Sequence, residues 1–206
     1  MHTDNYLTET VNSSAFLDRL RAATAVVHRE LEQIPLSAEL LKPTLTDAVY
    51  FEYLSLMREV VADAEQHIFP QLQIYIPDSQ SRLKTQWLDR DLAFINLKPQ
   101  SEERPLSKKG PFSNGFAMGI FYVIEGSTLG GRFILKNVEQ TLGRNSDNGA
   151  AYFYGYGNQT GSHWKIFLKG LTQYASDSGQ QEAIIEGAVF AFEAIRQHFA
   201  KTAQPA

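Results

Sequence analysis

Cysteine is absent from the sequence. Disulfides, thiolate metal sites and a cysteine nucleophile are excluded together, so any metal must be held by nitrogen or oxygen ligands. No apolar run approaches the roughly 20 residues of a membrane span, and the N-terminus lacks the basic-then-apolar pattern of a secretory signal. The expectation is a cytoplasmic protein with no membrane partner. An excess of positive charge is missing too: 19 Lys and Arg against 23 Asp and Glu leave a formal net charge of −4. That balance speaks against nucleic acid as a partner, because neutralising phosphates needs a basic excess on one face. There is no internal repeat, no low-complexity tract, no linker-like stretch and no strand-like alternation bounded by hairpin turns. The 206 residues therefore read as one all-α domain spanning 1–206, with 1–13 and 202–206 as frayed termini.

What is present is helical periodicity. From about Ser14 to Glu32, residues Phe16, Leu17, Leu20, Ala23, Thr24, Val27 and Leu31 recur at helical spacing, and Pro35 bounds the run. A second pattern from Thr46 to about Ile68 carries Tyr50, Leu54, Met57 and Val61 on one stripe and stops at Pro70. A third spans about Ser79 to Ile95. The polar stretch from Asn96 to Pro111 reads as a loop, punctuated by Pro99, Pro105 and Pro111. A fourth helix starts near Ser113 and runs towards Gly143. Residues 144–162, rich in glycine and tyrosine, read as a long loop or broken helix, and two further helices cover about 162–175 and 180–201.

Chemistry can enter at few places. His28 sits beside the apolar stripe of the first helix, with Glu32 one turn later. A neutral imidazole there can offer one nitrogen to a metal and its other N–H to the carboxylate. Taken alone, a histidine at a helix edge is more often structural. Within Glu125-Gly-Ser-Thr-Leu-Gly-Gly131, three glycines interrupt an apolar helical run, each costing about 0.5–1 kcal/mol relative to alanine. Something must approach the backbone closely there, either a flat ligand or a crossing helix. A phosphate loop is disfavoured, since its lysine and preceding strand are missing. Lys165 and Lys169 share a helix face beside Trp164 and Phe167 and can clamp carboxylates at the rim of an apolar pocket, although solvated lysines are commoner. Arg21, two turns before His28, can serve similarly. Asp63 and His67 form an i,i+4 pair, but the repeated Glu-x-x-His of a di-iron bundle is missing, and a solvated face is the plainer reading. His2, His163 and His198 show no partner pattern.

The segment Leu20–Glu32, together with Phe121-Tyr-Val-Ile-Glu-Gly-Ser-Thr-Leu-Gly-Gly-Arg132, resembles the biliverdin-producing haem oxygenases, closest to their bacterial, phytochrome-associated branch. The similarity extends in order to Tyr154-Gly-Tyr-Gly157, Trp164 and Phe167. It implies a single-domain, multi-helix haem-oxygenase-like fold with haem between a proximal helix and a kinked distal helix. On that resemblance His28 is the iron ligand and Glu32 its partner. Gly126, Gly130 and Gly131 are the distal glycines, and Gly126, Ser127 and Gly130 form the catalytic wall. Arg21, Lys165 and Lys169 fall at propionate-binding positions, with Thr24 and Phe167 beside the cofactor. Ser127 departs from the aspartate of the animal enzymes. The implied reaction takes haem and O2 to biliverdin, CO and iron, with electrons from an external donor such as ferredoxin or a reductase and a bilin-using phytochrome downstream. A neutral histidine ligand pushes electrons less than a thiolate, which disfavours O–O cleavage and turns oxygen chemistry on the porphyrin itself. Ser127 leaves open the alternative of a haem-binding storage or sensor protein of the same fold that does not degrade haem.

Overall fold

In the computed structural model the described residues are 3–97 and 103–201, with side chains from residue 14 onward. Among them there is no strand, and eight α-helices follow one another with short 3-10 turns between. They are α1 (Thr3–Gln33), α2 (Pro35–Glu39), α3 (Asp47–His67), α4 (Thr85–Ala93), α5 (Asn114–Leu142), α6 (Ala151–Tyr154), α7 (Thr160–Ser178) and α8 (Gln181–Ala200). No helix among the described residues is long and apolar enough to cross a membrane.

The helix ends follow from local chemistry. Pro35 opens α2 at its first turn, where a missing N–H costs nothing. Thr46 caps α3 by accepting from the Val49 amide, and Ser113 caps α5 by accepting from Phe116. Gly143 closes α5 with φ +65°, a left-handed conformation that most side chains resist. Despite its glycines, α5 is one continuous helix. Its backbone meets α8 where Gly119 and Gly187 face each other. A Cβ at Gly119 would overlap the Ile184 carbonyl, and one at Gly187 that of Phe116. The close crossing expected of glycine thus exists, but it falls on Gly119 and Gly187 rather than on 126–131.

Three elements differ from the sequence reading. The backbone of α1 begins at Thr3, ahead of the apolar spacing that starts at Phe16; the side chains of 1–13 and the whole of 202–206 lie outside the described residues. The expected helix over 79–95 is a 3-10 turn (Ser79–Arg82), then Leu83 in extended conformation, then α4. The break has a cause: Arg82 and Lys84 are both fully buried and both reach Glu125. Side chains two apart share a side only in extended backbone. Within 144–162 a short helix, α6, forms because Asp91 of α4 accepts from the amides of Ala151 and Tyr152 at 2.7 and 2.8 Å. Asp63, read as solvated, is instead buried and accepts from the amides of Leu106 and Ser107, anchoring the chain after the 98–102 segment, which lies outside the described residues. His198 is buried as well, 2.7 Å from Glu59.

Candidate functional site

Between α1 and α5 lies a cavity of about 860 Å³, within the range of about 300–1,000 Å³ usual for small-molecule and cofactor sites. One wall is α1, which contributes Arg21, Thr24, His28 and Glu32; the facing wall is α5, with Gly126, Ser127, Gly130 and Gly131. Tyr53 and Met57 of α3, Phe153 of α6 and Ile195 of α8 contribute further apolar lining. The helices reach this arrangement because Phe16 and Leu20 bury α1 in the core, leaving the neighbouring stripe of α1 to line the cavity.

His28 is half-exposed. Its Nδ1 lies 3.6 Å from Glu32 Oε1 and its ring meets the Phe192 ring edge-on at 5.0 Å. The carboxylate is too far for a direct hydrogen bond, yet close enough to orient the imidazole through a water or a small rotation. With Nδ1 turned to Glu32, Nε2 is the nitrogen available to a metal. Among the described residues no group of three metal-binding side chains clusters anywhere.

The three glycines of α5 separate by role. A Cβ at Gly130 would meet nothing within 4 Å and would project into the open space of the cavity. At Gly126 it would touch the Trp164 ring at 3.5 Å, and at Gly131 it would press on Phe153 at 3.2 Å. Gly130 keeps the cavity open, whereas Gly131 lets α6 lie against α5. Ser127 donates to the Ile124 carbonyl at 2.8 Å, and its Oγ is 3.1 Å from the Tyr152 hydroxyl. Phe133 and Leu41 line the cavity yet are 76% and 60% exposed, an apolar exposure of the kind that marks interaction sites.

Eight of the residues singled out from sequence line this one cavity: Arg21, Thr24, His28, Glu32, Gly126, Ser127, Gly130 and Gly131. Three do not. Phe167 is buried in the core, with Phe121 and Trp164 against its ring and the Arg82 guanidinium over it. Lys165 and Lys169 are exposed on the outer side of α7, because the register of that helix turns Trp164 and Phe167 inward. Trp164 lines the cavity in their place and packs on Tyr122, at the end where Arg21 lies.

Sequence reasoning assigned no role to Glu125. It is fully buried behind the cavity wall and pairs with Arg82 and Lys84 at 2.5 Å each, while the Tyr156 hydroxyl donates to it. Burial pushes Lys84 below its ordinary pKa, against the pull of Glu125. Asp78 on the far side of Arg82 balances the second positive charge. A carboxylate directly after the apolar run 121–124 hints at a buried charge but says nothing of its partners.

The family model described as Heme oxygenase matches residues 14–201. A search of curated protein sequences finds no match. Among solved structures, a heme oxygenase from Neisseria meningitidis, determined with bound NO and CO, is 25% identical with a TM-score of 0.76, covering 92% of this chain and 94% of that one. A heme oxygenase from Leptospira interrogans is 16% identical (TM-score 0.75; 90% and 98% covered), and heme oxygenase-1 from the cyanobacterium Synechocystis, in complex with heme, is 15% identical (TM-score 0.67; 91% and 92% covered). The all-α architecture, the match along nearly the whole chain and the cavity between α1 and α5 agree, and haem degradation is favoured over a storage or sensor role. This chain belongs to the haem oxygenase family.

Proposed function

We propose that the cavity binds haem with His28 as the proximal iron ligand and that the chain opens the macrocycle to biliverdin, CO and iron. The observation that carries this reading is a half-exposed histidine facing, across an apolar cavity, a helix whose Gly130 leaves the opposite side open. When bound, haem supplies the iron that activates O2 and is itself the substrate. The residues of the chain bind it, aim it and control what reaches it.

Glu32 holds the imidazole of His28 in one orientation. Thr24, whose hydroxyl donates to the Leu20 carbonyl at 2.9 Å, lines the cavity beside it. Arg21 meets the propionates at the end where Tyr122 and Trp164 lie. Lys165 and Lys169 stand outside the lining on the neighbouring face of α7 and add a long-range positive field there. At Gly126 and Gly130 the absence of side chains lets the porphyrin lie against α5, leaving room for a small ligand on one side. Electrons come from an external donor such as ferredoxin or a reductase, in the cytoplasm; a bilin-using phytochrome as consumer of the product rests on the sequence resemblance alone.

The test is turnover: haem-loaded protein with O2 and ascorbate or a ferredoxin system is expected to lose its Soret band as bilin absorption rises. A Soret band that persists under these conditions would remove the degradative reading.

A further inference from the structure

The cavity wall joins a hydroxyl of the glycine-rich segment, Ser127, to one from outside it, Tyr152. Ser127 and Tyr152 both line the cavity, one from α5 and one from α6, with their oxygens 3.1 Å apart. Tyr152 is almost fully buried, and its position is fixed from behind: its amide and that of Ala151 donate to the Asp91 carboxylate, and its ring packs edge-on against Phe153 at 5.3 Å. Two elements far apart in sequence are thereby locked together at one polar point of the cavity lining.

A hydroxyl has one proton and two lone pairs. As the pair stands, Ser127 gives its proton to the Ile124 carbonyl, so the contact with Tyr152 requires Tyr152 to be the donor. Burial raises the phenol far above its ordinary pKa, so Tyr152 stays protonated at any pH the protein experiences. The Ile124 carbonyl lies within a helix and does not depend on Ser127 for its partner. The serine proton is therefore free to rotate from that carbonyl to a ligand in the cavity. Gly130 is one turn further along the same helix face, and both residues line the same cavity.

We propose that Ser127 donates a hydrogen bond to the small ligand held beside Gly130, and that Tyr152 is its positioning residue, donating to Ser127 and so orienting and polarising the serine hydroxyl towards that ligand. Chains of hydrogen bonds strengthen one another at low dielectric, so a tyrosine behind the serine makes a better donor than a serine alone. The pair does with two hydroxyls what a single carboxylate with ordered water does at the corresponding place in the animal enzymes. This inference rests on the haem-binding reading above.

Infrared spectra of the ferrous CO complexes test it, because a hydroxyl donating to CO lowers the C–O stretching frequency, and a residue of purely structural value leaves that band alone. The comparison is between haem-loaded wild type, Ser127→Ala, Ser127→Thr, Tyr152→Phe and the Ser127→Ala/Tyr152→Phe double variant. Ser127→Ala is expected to shift the band to higher frequency and Tyr152→Phe to shift it the same way by less. The double variant should go no further than Ser127→Ala, since Tyr152 acts through Ser127. Ser127→Thr, which keeps the hydroxyl, should stay at the wild-type position. A wild-type band in Tyr152→Phe, with haem still ligated by histidine, overturns the positioning role and leaves the haem assignment standing. Should Tyr152→Phe fail to fold, Ser127→Ala alone decides, and an unshifted band there overturns the pair. Failure of wild-type protein to bind haem through histidine overturns this inference and the haem reading together.

Discussion

Glycines 119, 126, 130, 131 and 187 look alike in the sequence and do different work in the fold. Gly119 and Gly187 exist because α5 and α8 touch backbone to backbone. Gly119→Ala forces a Cβ into the Ile184 carbonyl, and overpacking of this kind costs about 1–3 kcal/mol; urea unfolding of the haem-free protein should show it. Gly130→Ala has the opposite signature. Its Cβ meets no protein atom within 4 Å, so the helix gains up to about 1 kcal/mol of propensity, while haem loses room. Raised apo stability with weakened haem affinity is the expected pair of results, and haem titration followed by absorbance measures the second. The sequence pattern flagged a close approach at 126–131 and was right about a cavity there. It could not separate the packing glycine, Gly131, from the open one, Gly130, because that difference lies in what stands opposite.

At the scale of elements, what shapes the cavity is a set of contacts between segments distant in sequence. Glu125 sits one residue before the glycine stretch and is held by Arg82 and Lys84, 43 and 41 positions away. No periodicity points across such a gap, so the cluster, and the extended kink at Leu83 that feeds it, were invisible until the chain was folded. Glu125→Gln leaves Lys84 without its ion-pair partner and Arg82 with Asp78 alone, and breaking a buried ion pair from one side typically costs about 3–5 kcal/mol; chemical denaturation of the haem-free protein is the check. Asp91, which builds α6, has a pH signature. Burial pushes its carboxyl up to about 6 against the two amides that hold it down. A carboxyl whose folded pKa lies above its unfolded value binds its proton first in the folded state, so its contribution moves in favour of folding as pH falls from above 6 towards the ordinary value near 3.8. The stability difference between wild type and Asp91→Asn should therefore shift towards wild type between pH 7 and pH 5; a difference independent of pH over that window contradicts the assignment.

For the whole molecule, those ends of the long helices that carry local chemistry were legible: Pro35, Thr46, Ser113 and Gly143 stand where capping rules put them, whereas the start of α1 and the break at Leu83 carry no such signal. The motif residues expected on α1 and α5 share one cavity, while on α7 two lysines and a phenylalanine in a promising pattern lie outside its lining, because their directions come from packing rather than from spacing. Haem binding has a global consequence as well. A ligand present at 100 times its Kd adds about 2.7 kcal/mol to folding stability, so saturating haem should raise the unfolding midpoint of wild type clearly and that of His28→Ala much less.

The central claim is that His28 holds the iron of a haem that the chain then degrades. One measurement tests it most directly: the absorption spectrum of wild type and His28→Ala with equimolar haem, recorded before and after adding reductant in air. The account predicts a histidine-ligated Soret band in wild type that gives way to bilin absorption, and in His28→Ala an altered band without that conversion. A haem spectrum in His28→Ala indistinguishable from wild type, or a wild-type band that survives reductant and oxygen, would contradict it.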